Sequence, residues 1–150
     1  MRLLVPLDLS DASPKVLEMA RRMGLATRAA VWLLHVGGPE PAFVGYDPGP
    51  DVVRDQVADE HRQQHRDIQA HADQLRAAGV DATALLIQGP TAGCILAEAD
   101  RLETDLIVMG THGRGAVFDL VVGSVSTAVL RGSRIPVLFV PVGKSATQDA

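Results

Sequence analysis

Five short, almost continuously aliphatic runs recur along this chain, at Leu3 to Leu7, Ala30 to Val36, Val80 to Ile87, Leu106 to Met109 and Val137 to Val140. An apolar run of this length without polar alternation is what a strand shows when both of its faces are covered. The stretches between the runs are mostly helical in pattern, and a strand–helix–strand alternation builds a parallel sheet. The fold class expected is therefore α/β. The third run is less uniformly apolar than the others, which predicts a place nearer an edge of the sheet.

The intervening segments carry their own start and stop signals. Ser13-Pro14 reads as an N-cap with proline at the first helical position, opening a helix to about Leu25 with Val16, Leu17, Ala20 and Met23 inward. Gly37 to Pro50 holds four prolines and four glycines, so it reads as a loop. A long polar helix follows from about Val52 to Ala78 and stops at Gly79. Its charges, among them Arg54, Asp55, Asp59, Glu60 and Arg62, form a solvated face over a stripe of Val53, Val57, Ile68 and Leu75. Gly89-Pro90-Thr91 begins a third helix carrying Ile95, Leu96 and Leu102, and a last one spans about Ser124 to Arg131.

Composition narrows the function classes. The 150 residues suit one domain, expected over 1–142 with a flexible tail at 143–150. Hydrophobic residues make up 47% but aromatic ones only 3%, so aliphatics must supply the core. A lone cysteine, Cys94, excludes an internal disulfide framework, fits a reducing compartment and is expected to be a buried, inert thiol. No apolar run reaches the roughly 18 residues of a membrane span, and the N-terminus lacks a signal-peptide layout. A soluble cytoplasmic protein is the expectation, with no membrane partner. Net charge is −4 and lysine occurs only at Lys15 and Lys144, which argues against a nucleic-acid partner. His61 and His65 share a helix face, but without a third ligand nearby they read as solvated side chains, not a metal site. His35 and His71 carry no signal of their own.

Chemistry concentrates after the fourth strand. Gly110-Thr111-His112-Gly113 follows Met109 directly, and after nine intervening residues Gly123-Ser124 opens the last helix. Glycines let the backbone turn sharply and approach a ligand, and a helix N-terminus offers amide hydrogens to an anion. Gly123 and Ser124 are expected to present such unpaired amides. The competing reading is that Gly110, Gly113, Gly115 and Gly123 serve tight turns only. Two familiar cradles do not apply. Gly113-Arg114-Gly115 is followed by Phe118 where a dinucleotide fingerprint needs glycine, and Gly143-Lys144-Ser145 has Leu138 where a P-loop begins.

The spacing Gly110-x2-Gly113-x9-Gly123-Ser124 resembles the nucleotide loop of the universal stress protein family. Pro6-Leu7-Asp8 after the first strand, Leu34-His35-Val36 in the second and Ile135-Pro136-Val137 near the end fall in the same order, so the resemblance spans roughly residues 2 to 142. It implies an open five-stranded parallel sheet in order 3-2-1-4-5 with helices on both faces, and membership of the ATP-binding branch. Ligands of such sheets sit beyond the strand ends where the winding reverses, here between the first and fourth strands. The resemblance places Pro6, Leu7, Asp8, Val36, Met109, Gly110, His112, Gly113, Arg114, Gly123, Ser124, Val125 and Ser126 around ATP, with Mg2+ held mainly by the phosphates. Val36 would meet adenine through its backbone, and Ser124 and Ser126 would add hydroxyls. Asp8 would accept hydrogen bonds from the nucleoside or bind metal through water, unless it merely caps its own turn. Arg114 would reach phosphate or point to solvent. Leu9 stands where the family usually has glycine. The resemblance also implies a homodimer paired through the strand at Val137 to Val140. A stress-response regulator or sensor is expected, with a slow ATPase or phosphotransferase, or a nucleotide-free dimerisation module, as alternatives. No catalytic residue is assigned, since neither Asp8 nor His112 has a visible partner.

Overall fold

A computed structural model describes residues 1–38, 50–111 and 122–142. The elements run β1 (Arg2–Pro6), α1 (Ser13–Thr27), β2 (Ala30–Gly37), α2 (Pro50–Ala77), β3 (Asp81–Gln88), α3 (Thr91–Arg101), β4 (Leu106–Gly110), α4 (Ser124–Gly132) and β5 (Val137–Val140). Each expected strand is present within a residue or two of its expected bounds. Most of the expected Gly37–Pro50 loop, the tail at 143–150 and the loop residues His112, Gly113 and Arg114 lie outside the described residues.

All strand pairings are parallel and the order is β3-β2-β1-β4-β5. The third strand is an edge, as its mixed polarity predicted. The chain winds one way from β1 through β2 to β3, then returns to build β4 and β5 on the other side of β1. Crossovers of one hand then place the two pairs of helices on opposite faces. On one face Val16, Leu17 and Ala20 of α1 and Ile68, Ala72 and Leu75 of α2 pack on Leu3, Val5, Val31, Leu33 and Val108. On the other, Ile95 and Ala99 of α3 and Val129 of α4 pack on Leu4, Leu34, Ile107 and Met109. Consecutive strand residues thus feed opposite cores, which is why the runs show no polar alternation. Fully burying one such aliphatic side chain is worth roughly 1.5–3 kcal/mol.

The helix ends follow local chemistry. Gly79, at φ +93°, lets the Val80 N–H reach back to the Leu75 carbonyl at 3.0 Å and so stops α2. Arg28 does the same service for α1 with φ +52°, although it carries a side chain. The start of α1 differs from expectation. The cap position is Ala12, and no side chain caps the helix. Ser13 is inside the first turn, its N–H bonded to the Ser10 carbonyl and its buried hydroxyl without a hydrogen-bond partner. Cys94 is also corrected, being half-buried, with its thiol 4.0 Å from the Gln88 carbonyl.

Candidate functional site

The ladders around β1 stop at different heights. Toward β2, β1 pairs as far as Pro6↔Leu34, and the Leu7 N–H still donates to the Leu34 carbonyl at 2.8 Å. Toward β5, β4 pairs as far as Gly110↔Val140, and the Thr111 N–H continues to the Val140 carbonyl at 3.1 Å. Between them, β1 and β4 are in register only at Leu3↔Leu106 and Leu4↔Ile107. Each strand stays hydrogen-bonded to its outer neighbour beyond the last rung of the β1–β4 ladder. Beyond that rung lies the crevice that such a sheet has at the carboxyl ends of its two innermost strands, here with Pro6, Leu7 and Asp8 at the end of β1 and Met109, Gly110 and Thr111 at the end of β4. This is the switch point of the sheet, where ligands of open α/β folds bind.

The first wall is held by polar contacts that fix a turn. Asp8 Oδ1 accepts from the Ser10 N–H at 3.0 Å and from the Ser10 hydroxyl at 2.6 Å. The carboxylate does cap its own turn, but with one oxygen only. Asp8 Oδ2 is buried and has no partner. Such an acceptor, dehydrated and unspent, costs free energy until a donor meets it. Between these residues Leu9 sits at φ +58°, in the left-handed region that favours glycine. The turn keeps its shape there despite the side chain, at a cost of about 1–2 kcal/mol. Leu9 packs against the α1/α2 core and so offsets part of that cost.

His35 braces the same wall from β2. Its ring is buried, and Nδ1 lies 2.8 Å from the Leu7 carbonyl. A carbonyl has no proton to give, so Nδ1 carries the hydrogen and donates it. The Gly37 carbonyl accepts from Gly89 near β3, while the Leu34 carbonyl accepts from Leu7 on β1. In a parallel ladder the peptide groups alternate between neighbours, so Val36, like Leu34, turns its N–H and C=O toward β1. Beyond Leu7, β1 has left the sheet. Val36 therefore faces the crevice with backbone groups, as adenine recognition through that residue would need. Its half-buried side chain packs on the α3/α4 core.

The second wall carries the start of α4. The Gly123 N–H donates to the Thr111 carbonyl at 2.8 Å, and the buried Ser126 hydroxyl donates to the Gly110 carbonyl at 3.0 Å. These two bonds dock the helix N-terminus on the end of β4. They also correct one expectation, because the Gly123 amide is spent on Thr111 and is not free for an anion. The first turn supplies the amides instead. Ser124, Val125 and Ser126 precede the first intrahelical bond, from the Thr127 N–H to the Gly123 carbonyl, and no side chain caps this start among the described residues. Ser124 is exposed and Val125 half-buried. Met109 contributes backbone at the rim, since its side chain is buried in the α3/α4 core. His112, Gly113 and Arg114 lie outside the described residues.

The structure thus brings the described members of the expected set to one end of the sheet. Sequence reasoning missed His35, whose polarity within an apolar strand was the available signal, and the Thr111 carbonyl, which has none. Among the described residues no group of histidine, cysteine, aspartate and glutamate side chains could hold a metal ion, and no helix is long and apolar enough to cross a membrane.

Comparison with known proteins decides the family. The sequence profile of the Universal stress protein family matches residues 1–141. The chain belongs to the universal stress protein family. It is 33% identical over 139 residues to the "Universal stress protein in QAH/OAS sulfhydrylase 3'region" of Thermus aquaticus, covering 92% of this chain and 96% of that one. Universal stress protein UspA from Lactobacillus plantarum has the same fold, with a TM-score of 0.80 at 22% identity over 93% of this chain and 97% of its own. Two further universal stress proteins of this fold were solved with adenine nucleotides. One is in complex with cAMP (TM-score 0.67, 23% identity, 95% and 98% of the two chains). The other, from Archaeoglobus fulgidus, is in complex with dAMP (TM-score 0.64, 19% identity, 93% and 97%).

Proposed function

We propose that this universal stress protein binds an adenine nucleotide, ATP with Mg2+ carried mainly by its phosphates, in the crevice between β1 and β4, and serves as a cytoplasmic stress-response regulator or sensor. The observation that carries the reading is the convergence, at the carboxyl ends of β1 and β4, of a buried carboxylate oxygen without a partner and a helix start without a side-chain cap. Asp8 Oδ2 awaits a donor such as a ribose hydroxyl or an amino group. The first-turn amides of α4 suit a phosphate, favoured there by the helix dipole. Val36 offers peptide groups to a base edge. The cAMP and dAMP complexes of two family members are of the same ligand class. Binding itself would be the signal, since a ligand that meets only the folded state stabilises it by about 2.7 kcal/mol at 100 times its dissociation constant.

The test is a calorimetric titration of nucleotide-stripped protein with Mg-ATP, with AMP as control. Binding that depends on the triphosphate supports the ATP reading. Equal affinity for AMP would reassign the site to the nucleoside monophosphate. No heat, together with an unchanged melting temperature, would move the function to a nucleotide-free dimerisation module. Phosphate release over hours would bring in the slow ATPase.

The homodimer belongs to the same proposal. β5 pairs with β4 on one side only in the described sheet, and Val137, Leu138 and Phe139 are only half-buried. An apolar edge strand of this kind invites pairing with a second copy. Sedimentation of the wild type and of Phe139→Asp tests it, with the variant expected as a monomer.

A further inference from the structure

Asp8 owes its poise to Ser10. The Ser10 hydroxyl donates to Asp8 Oδ1 at 2.6 Å, within the roughly 2.5–2.7 Å range of a charge-assisted O–H···O⁻ bond. The same hydroxyl oxygen accepts from the Ala12 N–H at 3.3 Å. The Ser10 N–H takes Oδ1 as well, at 3.0 Å, and the Ser10 carbonyl receives the Ser13 N–H at 3.0 Å. One small residue therefore joins the carboxylate of the site to the first turn of α1. Both of its bonds to Asp8 converge on a single oxygen, and the other, Oδ2, is left buried and unpaired. A carboxylate free to rotate would share its two oxygens between turn and ligand. Here the division is made before any ligand arrives.

We infer that Ser10 is a positioning residue for ligand binding: its hydroxyl pins Asp8 Oδ1 so that Oδ2 is presented as the acceptor in the β1–β4 crevice. The inference rests on the nucleotide reading of that crevice and adds a residue to it. Ser10 acts through Asp8. Loss of its hydroxyl leaves Oδ1 held by the Ser10 N–H alone, which loosens the carboxylate, and part of the binding energy is then spent on reordering it.

The experiment is a double-mutant cycle on the whole chain, read by calorimetry with Mg-ATP and checked by thermal melting. Ser10→Ala is expected to weaken binding about tenfold, in line with loss of a bond to a charged group. Asp8→Ala is expected to weaken it at least as much, and adding Ser10→Ala to Asp8→Ala to change nothing further. Ser10→Thr, which keeps the hydroxyl, is expected to restore binding. A purely structural role for Ser10 would instead lower the melting temperature and leave the affinity of the folded protein unchanged. That result overturns the inference, as does a tenfold loss that persists in the Asp8→Ala background. Should Ser10→Ala fail to fold, Ser10→Cys, whose thiol donates weakly, is judged by the same criteria. If the wild type takes up no nucleotide at all, the reading of the crevice fails, and the role of Ser10 falls with it.

Discussion

Asp8→Asn separates the turn-closing contacts of Asp8 from the ligand contact proposed for it. The Ser10 N–H and hydroxyl both donate to Oδ1, so the new side chain must present its amide carbonyl there. Its NH2 group then takes the place of Oδ2, turning the unspent acceptor into a donor of nearly the same shape. The turn survives, but its hydroxyl bond weakens from charge-assisted to neutral, a loss of about 1 kcal/mol. For a chain of this size that lowers the melting temperature by roughly 2–4 °C. The ligand suffers more. Losing a hydrogen bond to a charged acceptor costs about 1.5–3 kcal/mol, or about 10- to 150-fold in dissociation constant. Calorimetry with Mg-ATP and a thermal melt on the same preparation read both numbers. A small fall in melting temperature with unchanged affinity would show that Asp8 only closes its own turn, and the reasoning from the buried Oδ2 would be refuted.

Three further substitutions probe the frame around the site. His35→Phe removes the donor to the Leu7 carbonyl and leaves it buried and unpaired, so urea unfolding is expected to show a loss of about 1–3 kcal/mol; an unchanged midpoint would mean that the bond carries no weight. Arg28→Gly relieves a left-handed backbone at an exposed helix end, and after the entropy cost of glycine a gain of about 0.5–1 kcal/mol is expected. Lower stability would show that the arginine side chain contributes more than its backbone strain removes. Gly24→Ala puts a Cβ 2.7 Å from Val80 Cγ1 inside the packed α1 face, and the same assay should show destabilisation of about 1–3 kcal/mol. A neutral result there would indicate that Val80 can change rotamer at little cost.

Much of this architecture was legible because it rests on local signals. Strands covered on both faces leave unbroken aliphatic runs, and all five were readable on that ground. The edge position of β3 showed in its mixed polarity. What sequence could not show depends on partners far along the chain. His35 reaches a carbonyl 28 residues away, and its polarity within an apolar strand hints at a partner without saying which. Ser13 looked like a cap because serine before proline is a common helix opening. The carbonyl of Ser10 takes the Ser13 N–H instead and moves the boundary back to Ala12. Gly123 was read as an anion donor from its place before a helix, whereas the Thr111 carbonyl claims its amide once β4 and α4 are docked. Leu9 illustrates the reverse case. Its departure from a glycine position was visible in sequence, and the positive φ shows that the backbone kept the glycine-like turn.

The short β1–β4 ladder has a mechanical meaning as well. It makes the middle of the sheet its least cross-linked line, a seam between a block of β3, β2 and β1 and a block of β4 and β5. Asp8 and Val36 belong to the first block and the start of α4 to the second. Any molecule lodged between them rivets the two blocks together at the open end of the seam. The outer margin of the second block is β5, so a second copy pairing there, as proposed, would ride on the very half whose tilt such a rivet would set.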